Sequence, residues 1–374
     1  FVGKIGTSAT GAVGISFSLM AIIQSVGFML GMGSGNYISR LLGQKNREEA
    51  GRVASTGFFT ALGFGLAFMA LGLVFIDPLV RLLGATETIF PYAKAYVGFI
   101  LIGAPYMAAS FVLNNLLRFQ GSAFYSMIGI GTGAVLNIGL DPLFIFVFHM
   151  GTGGAALATI ISQFVSFCIL LFLSSRGGNI KLSARQFTFR WRIYKEIFRG
   201  GLPSFYRQGL ASISTIVLNF SAGPYGDAAI AAMSIVTRVF QFALSALLGF
   251  GQGFQPVLGY NYSARRFDRV RGAYLFTLVF STALMSVFAV VCAIAAPAIM
   301  RQFLSSEKAI EIGTLALRLQ CICMPLLPLN FMAGLTYQVV GNKALAALLS
   351  CSRQGLFYIP AVLILPQLLQ LLGI

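Results

Sequence analysis

Gly31-Met32-Gly33-Ser34-Gly35 closes an apolar run that begins near residue 12, and Gly249-Phe250-Gly251-Gln252-Gly253 closes another that begins near residue 228. The two glycine ladders lie 218 positions apart, and each leads into a polar, basic loop and a further apolar run. The register persists downstream. Asp77-Pro78 recurs as Ala296-Pro297 at an offset of 219, and Pro105 as Pro325 and Gly121 as Gly341 at 220. Single-residue insertions in loops produce this kind of drift. Four successive stretches in register define an internal duplication.

The runs are long enough to be membrane helices. Ten stretches, at about 12–34, 53–76, 95–117, 123–148, 154–174, 201–222, 228–254, 272–300, 313–338 and 344–366, match the length needed to cross about 30 Å of hydrocarbon. Several hold an internal proline, such as Pro105, Pro142, Pro325 and Pro360, which a bundled membrane helix tolerates because neighbours satisfy the freed carbonyls. Composition agrees. Charged residues are 10% of the 374 and apolar ones 57%, with mean hydropathy +0.84. Soluble domains carry about 25% charged residues, so water is not the main solvent here.

The net charge of +16 invites a nucleic-acid reading, but the placement of the charges excludes it. Arg40, Lys45, Arg47, Arg52, Arg118, Arg176, Lys181, Arg185, Arg190, Arg192, Lys195, Arg199, Arg265, Arg266, Arg269, Arg271 and Lys343 all fall in alternate loops. The opposite loops hold Lys4, Arg81, Lys94, Arg301 and Lys308, balanced by Asp77, Glu87, Asp227, Glu307 and Glu311. Such a bias places the basic side in the cytoplasm. The helices at 12–34 and 228–254 then run in the same direction, so the repeats are parallel.

Residues 1–174 are expected to form one helical bundle and 201–374 the other, joined by a basic cytoplasmic linker at 175–200. Within the linker, Arg190-Trp191-Arg192-Ile193-Tyr194-Lys195 reads either as a surface helix at the headgroups or as a solvated connector. By the repeat offset, the helix at 201–222 would have a counterpart before residue 1, and that at 154–174 one after residue 374. The pattern therefore expects six helices per repeat and twelve in all. The fold class is all-α, a polytopic membrane protein of two parallel helical repeats around a central cleft.

Asp141 is the one carboxylate of ten that falls inside an apolar stretch. A charge at the bilayer centre costs about 2.5–3.5 kcal/mol on insertion scales, so Asp141 is read as a cation-binding group, with a structural pairing to a neighbouring helix as the alternative. Asn137 precedes it by one helical turn and presents an amide oxygen on the same face. Pro142 removes a backbone donor and frees a carbonyl, and Thr159 on the next helix can add a hydroxyl. One carboxylate among neutral oxygens suits Na⁺ or H⁺. No other chemistry is marked. The single histidine, His149, lies in an outer loop, and no Gly-x-x-x-x-Gly-Lys-Ser/Thr run exists. The five cysteines sit in apolar stretches without metal-ligand company. An enzyme is not expected, nor any cofactor beyond the coupling ion.

Several motifs, in this order, resemble the multidrug and toxic-compound extrusion (MATE) family. They are Arg118-Phe119-Gln120-Gly121, Asp141-Pro142, Gly153-Gly154-Ala155-Ala156-Leu157-Ala158-Thr159, Gly200-Gly201-Leu202-Pro203 and Gly253-Phe254-Gln255-Pro256, together with the glycine-rich helix ends. The likeness covers nearly the whole chain and is nearest to the bacterial drug-exporter branch. It implies a V-shaped cleft and export of amphipathic, cationic compounds against inward Na⁺ or H⁺. It also implies that Asn137, Asp141 and Thr159 form an N-lobe cation site, one that in the family uses a further first-helix carboxylate absent here. Many relatives carry a glutamate eight residues after the Gly-Leu-Pro proline, where this chain has Ala211. Gln208, Met233, Arg238, Gln241 and Arg353 are the candidates for the substrate cleft, with Arg238 and Arg353 expected to brace the bundle. The expected partners are small organic substrates and the bilayer, not nucleic acid, and a monomer is expected. A lipid-linked oligosaccharide flippase of a related superfamily is the nearest alternative, and a membrane enzyme or scaffold the more distant one.

Overall fold

The duplication is visible first in the backbone. In the computed structural model, which describes residues 7–177, 180–304 and 306–371, Lys45 (φ 61°) and Arg265 (φ 57°) hold the same left-handed conformation. Gly121 (φ 91°) and Gly341 (φ 94°) form a second such pair. Both pairs are 220 positions apart. The hydrogen bonds recur with them: Lys45 N–H donates to Leu42 O at 3.0 Å and Arg265 N–H to Tyr262 O at 3.1 Å, and Asn46 N–H donates to Leu41 O as Arg266 N–H does to Asn261 O, both at 2.9 Å. Left-handed residues just past a helix satisfy its last carbonyls and let the chain turn back.

Between these turns, the described elements are helical. They are α1 (Thr7–Gly43), α2 (Arg47–Val74), α3 (Ile76–Leu82), α4 (Phe90–Phe119), α5 (Ala123–Pro142, continued by a π-helical segment Leu143–Val147), α6 (Gly151–Gly177) and α7 (Trp191–Ala222). They continue with α8 (Asp227–Ser263), α9 (Phe267–Phe303), α10 (Glu307–Cys323), α11 (Leu327–Val340), α12 (Lys343–Cys351, continued by a π-helical segment Ser352–Tyr358) and α13 (Ile359–Leu371). Helices α1 and α8 are both 37 residues long. Nine stretches among the described residues are long and apolar enough to cross a membrane. The tenth expected stretch, 201–222, lies in α7. It is helical, but Arg207, Gln208, its four serines and Thr215 keep it outside that class.

The chain divides into two units, Phe1–Phe205 and Tyr206–Ile374, so the boundary falls inside α7. In the first unit α4 is the central helix, buried along most of its length against α1, α2 and α6. Small residues permit this. A Cβ at Gly65 of α2 would collide with Pro105 of α4, so the backbones touch there. Close approach is the main way membrane helices gain contact energy, since lipid is as apolar as leucine. In the second unit, Met285, Cys292 and Met300 of α9 pack with Leu317 of α10 and Met332 and Leu335 of α11.

The basic segment after α6 packs on the first unit. Ile180 N–H donates to Gln120 Oε1 at 3.1 Å, Ser183 N–H to Ser55 Oγ at 3.2 Å and Thr188 N–H to Thr56 Oγ1 at 3.4 Å. The run from Trp191 is then one continuous helix with 201–222. Trp191 is exposed while Ile193 and Ile197 are buried in the first core, and Glu196 pairs with Arg40 at 3.1 Å.

Candidate functional site

Helix α5 starts beyond the left-handed Gly121 and carries Asn137 and Asp141 one turn apart, where Asn137 Nδ2 donates to Asp141 Oδ1 at 3.3 Å. That bond uses one of the amide's two N–H donors and leaves its carbonyl oxygen for another partner. Immediately beyond, Pro142 offers no N–H to the Ile138 carbonyl, and Leu143 N–H turns to Leu140 O. The chain then widens into the π-helical segment, closed by Phe148 N–H on Leu143 O at 3.0 Å. Single π turns in otherwise α-helical segments are frequent at functional sites. Asp141 and Asn137 are both half-buried.

Thr159 on α6 back-bonds to Ala155 O at 2.9 Å, which orients its hydroxyl and leaves the oxygen lone pairs as acceptors. Asn137 and Thr159 line one cavity of about 300 Å³ between α4, α5 and α6, together with Ser110, Ser162, Gln163 and Ser166. The hydroxyls of Ser110 and Ser162 are buried there without a hydrogen-bond partner. Asp141 is joined to the cavity through Asn137. Tyr96 of α4, 5% exposed, reaches Thr159 with its phenol and lies within electrostatic range of Asp141.

The arrangement therefore joins the three predicted residues by two routes, Asn137 and Tyr96. The sequence reading missed Tyr96, Ser110 and Gln163, because tyrosines and serines in an apolar helix carry no signal of their own. Among the described residues no cluster of three His, Cys, Asp or Glu exists. The oxygen set is one carboxylate with amide, hydroxyl and main-chain oxygens, the donor chemistry of a hard cation or a proton.

The second unit carries the remaining candidates. Arg353, in its π-helical segment, lies over the Phe240 ring at 5.8 Å, which brings it to α8 one residue from Gln241. Arg207, beside Gln208, lies over Phe331 at 5.5 Å. The charge of Arg353 acts on Arg207. Arg207 lies well inside α7, which begins at Trp191. Arg238 is exposed, and this corrects the bracing role expected of it, since an exposed guanidinium holds no neighbouring helix in place. Gln208 and Gln241 are exposed and Met233 is half-buried.

Repeated apolar helices with an internal duplication, one of them carrying the half-buried Asp141, have the architecture of a multi-pass membrane transporter. The MatE family model matches residues 1–143 and 203–364, one block in each repeat, and the chain belongs to that family. It is similar to a multidrug export protein MepA of Staphylococcus aureus, 30% identical over all of this chain and 83% of the relative. A multidrug export protein MepA of Staphylococcus haemolyticus is 27% identical over the same shares. Among solved structures, a MOP superfamily transporter from Pyrococcus furiosus superposes with a TM-score of 0.90 at 28% identity. It covers 97% of this chain and 82% of that one. An outward-facing multidrug resistance MATE family transporter gives 0.89 at 27%, covering 95% and 80%. The chain is a transport protein and not an enzyme.

Proposed function

We propose that the protein is a plasma-membrane antiporter that exports amphipathic, cationic organic compounds in exchange for Na⁺ or H⁺, with its linker in the cytoplasm. The observation that carries the reading is the Asn137–Asp141 pair, set where α5 turns π-helical and joined to the hydroxyl-lined cavity shared with Thr159. Asp141 would take the cation or proton, Asn137 would add its carbonyl oxygen and Thr159 its hydroxyl. The multidrug export relatives support the cargo class. Coupling follows if cation and substrate favour opposite-facing states, because a ligand shifts an equilibrium only by its differential affinity for the two. Dye efflux from proteoliposomes under separately imposed Na⁺ and H⁺ gradients tests this. One of the two gradients is expected to drive efflux, and efflux that ignores both would refute it.

A second reading, flipping of a lipid-linked oligosaccharide, draws on Arg207 and Arg353, two neighbouring guanidinium groups at membrane depth that suit a pyrophosphate. The Pyrococcus furiosus transporter is itself described as having a binding pocket of reversed polarity that suggests a different function. Competition of dye efflux by amphipathic pyrophosphates but not by cations would favour this reading.

A further inference from the structure

The two repeats treat one surface differently. In the first, Ala50, Gly51 and Ala54 of α2 and Leu116 and Leu117 of α4 are all buried. The basic segment lies over them: a Cβ on Gly51 would sit 2.7 Å from Gln186 Oε1, and Ser183 and Thr188 bond the neighbouring Ser55 and Thr56. At an offset of 220 the same five positions are Val270, Arg271, Tyr274, Thr336 and Tyr337. All five line an open groove of about 410 Å³ in the second unit, together with Phe267 and Leu258. Small and aliphatic residues have become a guanidinium, two phenols and a hydroxyl around an apolar floor.

The charges differ in the same sense. In the first repeat Arg52 is neutralised by Glu48 and by Glu49 at 3.5 Å. In the second, Arg265, Arg266, Arg269 and Arg271 surround the start of α9 with only Asp268 among them, and no ion pair among the described residues involves any of the four. Helix α9 has 37 residues and is therefore about 55 Å long at 1.5 Å per residue, well beyond a hydrocarbon core of about 30 Å. Its apolar run begins near residue 272, after Arg269 and Arg271, so its first turns stand at the headgroup level, where tyrosines settle and basic residues attract acidic lipid.

We propose that this groove binds one anionic phospholipid, its phosphate held by Arg271 with the Tyr274 and Tyr337 phenols, and an acyl chain against Val270, Phe267 and Leu258. That this is the cytoplasmic leaflet rests on the charge asymmetry of the loops; the site itself does not depend on the transported cargo. The unbalanced positive charge selects an anionic occupant over a zwitterionic lipid or a neutral chain segment.

The test uses the purified full-length protein in detergent, titrated with phosphatidylglycerol or with phosphatidylcholine of the same acyl chains, reading the melting temperature and the lipids retained in native mass spectra. Phosphatidylglycerol is expected to raise the melting temperature at lower concentration than phosphatidylcholine. Arg271→Gln should raise the half-saturating phosphatidylglycerol concentration at least about tenfold. Val270→Trp, which fills the groove and leaves every charge in place, should do the same and should retain one phosphatidylglycerol fewer. Equal response to the two lipids in the parent would overturn the proposal whether or not the variants fold. So would unchanged binding in Val270→Trp, which would reduce the attraction to a diffuse surface charge.

Discussion

Gly33 of α1 and Gly201 of α7 meet with no room for a side chain: a Cβ on Gly33 would run into the main-chain carbonyl of Ile197, and one on Gly201 into that of Met29. Backbone atoms cannot swing aside as side chains do, so any substitution must separate the helices. Gly33→Ala is expected to cost at least about 1–3 kcal/mol, the usual range for overpacking. Gly63→Ala is its control. Nothing lies within 4 Å of a Cβ there, and alanine is the better helix former by about 1 kcal/mol. Thermal melts in detergent should therefore show the first variant falling by several degrees and the second unchanged or raised.

Asp141→Asn keeps the size and hydrogen-bonding capacity of the side chain and removes its titratable charge. Insertion and thermal stability should be unchanged or improved, because a costly membrane charge is gone. Gradient-driven efflux should fall to background while substrate still binds. A structural ion pair would behave otherwise, since stripping one partner of a buried pair costs about 3–5 kcal/mol. Normal driven efflux from this variant would remove Asp141 from the coupling role.

Tyr96→Phe probes the route from α4 to the candidate cation site. The ring packing survives and only the hydroxyl that reaches Thr159 is lost. Partners that orient a ligand commonly contribute about 10- to 100-fold in affinity. The cation concentration for half-maximal efflux should rise by about tenfold at an unchanged maximal rate. An unchanged cation dependence would make Tyr96 a packing residue alone.

Orientation is checked by single cysteines in a background lacking the five native ones. Gln44→Cys, Arg190→Cys and Arg265→Cys, all exposed positions on the basic side, should resist a membrane-impermeant thiol reagent applied to intact cells. Glu87→Cys, exposed on the other side, should react with it. Reaction of all three basic-side cysteines from outside would reverse the topology.

The sequence alone determined the helical, membrane-spanning architecture, the duplication and the coupling candidate, because each is written locally. Apolar length marks a span, and glycine marks a left-handed turn or a close approach, as at Gly121 and Gly341. A lone carboxylate such as Asp141 stands out against a run of leucines. Which face of each helix meets protein was not written there. In a bilayer both the core and the lipid are apolar, so Leu116 and Leu117, fully buried, read in the sequence like Leu71 and Val74, which are exposed. Only the tertiary structure decided that the linker packs over α2, that Arg207 sits well inside α7 and that Arg238 is exposed. It alone brought Tyr96 to Thr159 across 63 positions of chain. Contacts of that kind depend on the rotation of each helix about its axis, which is fixed when neighbours pack and not by the residues of one helix read alone.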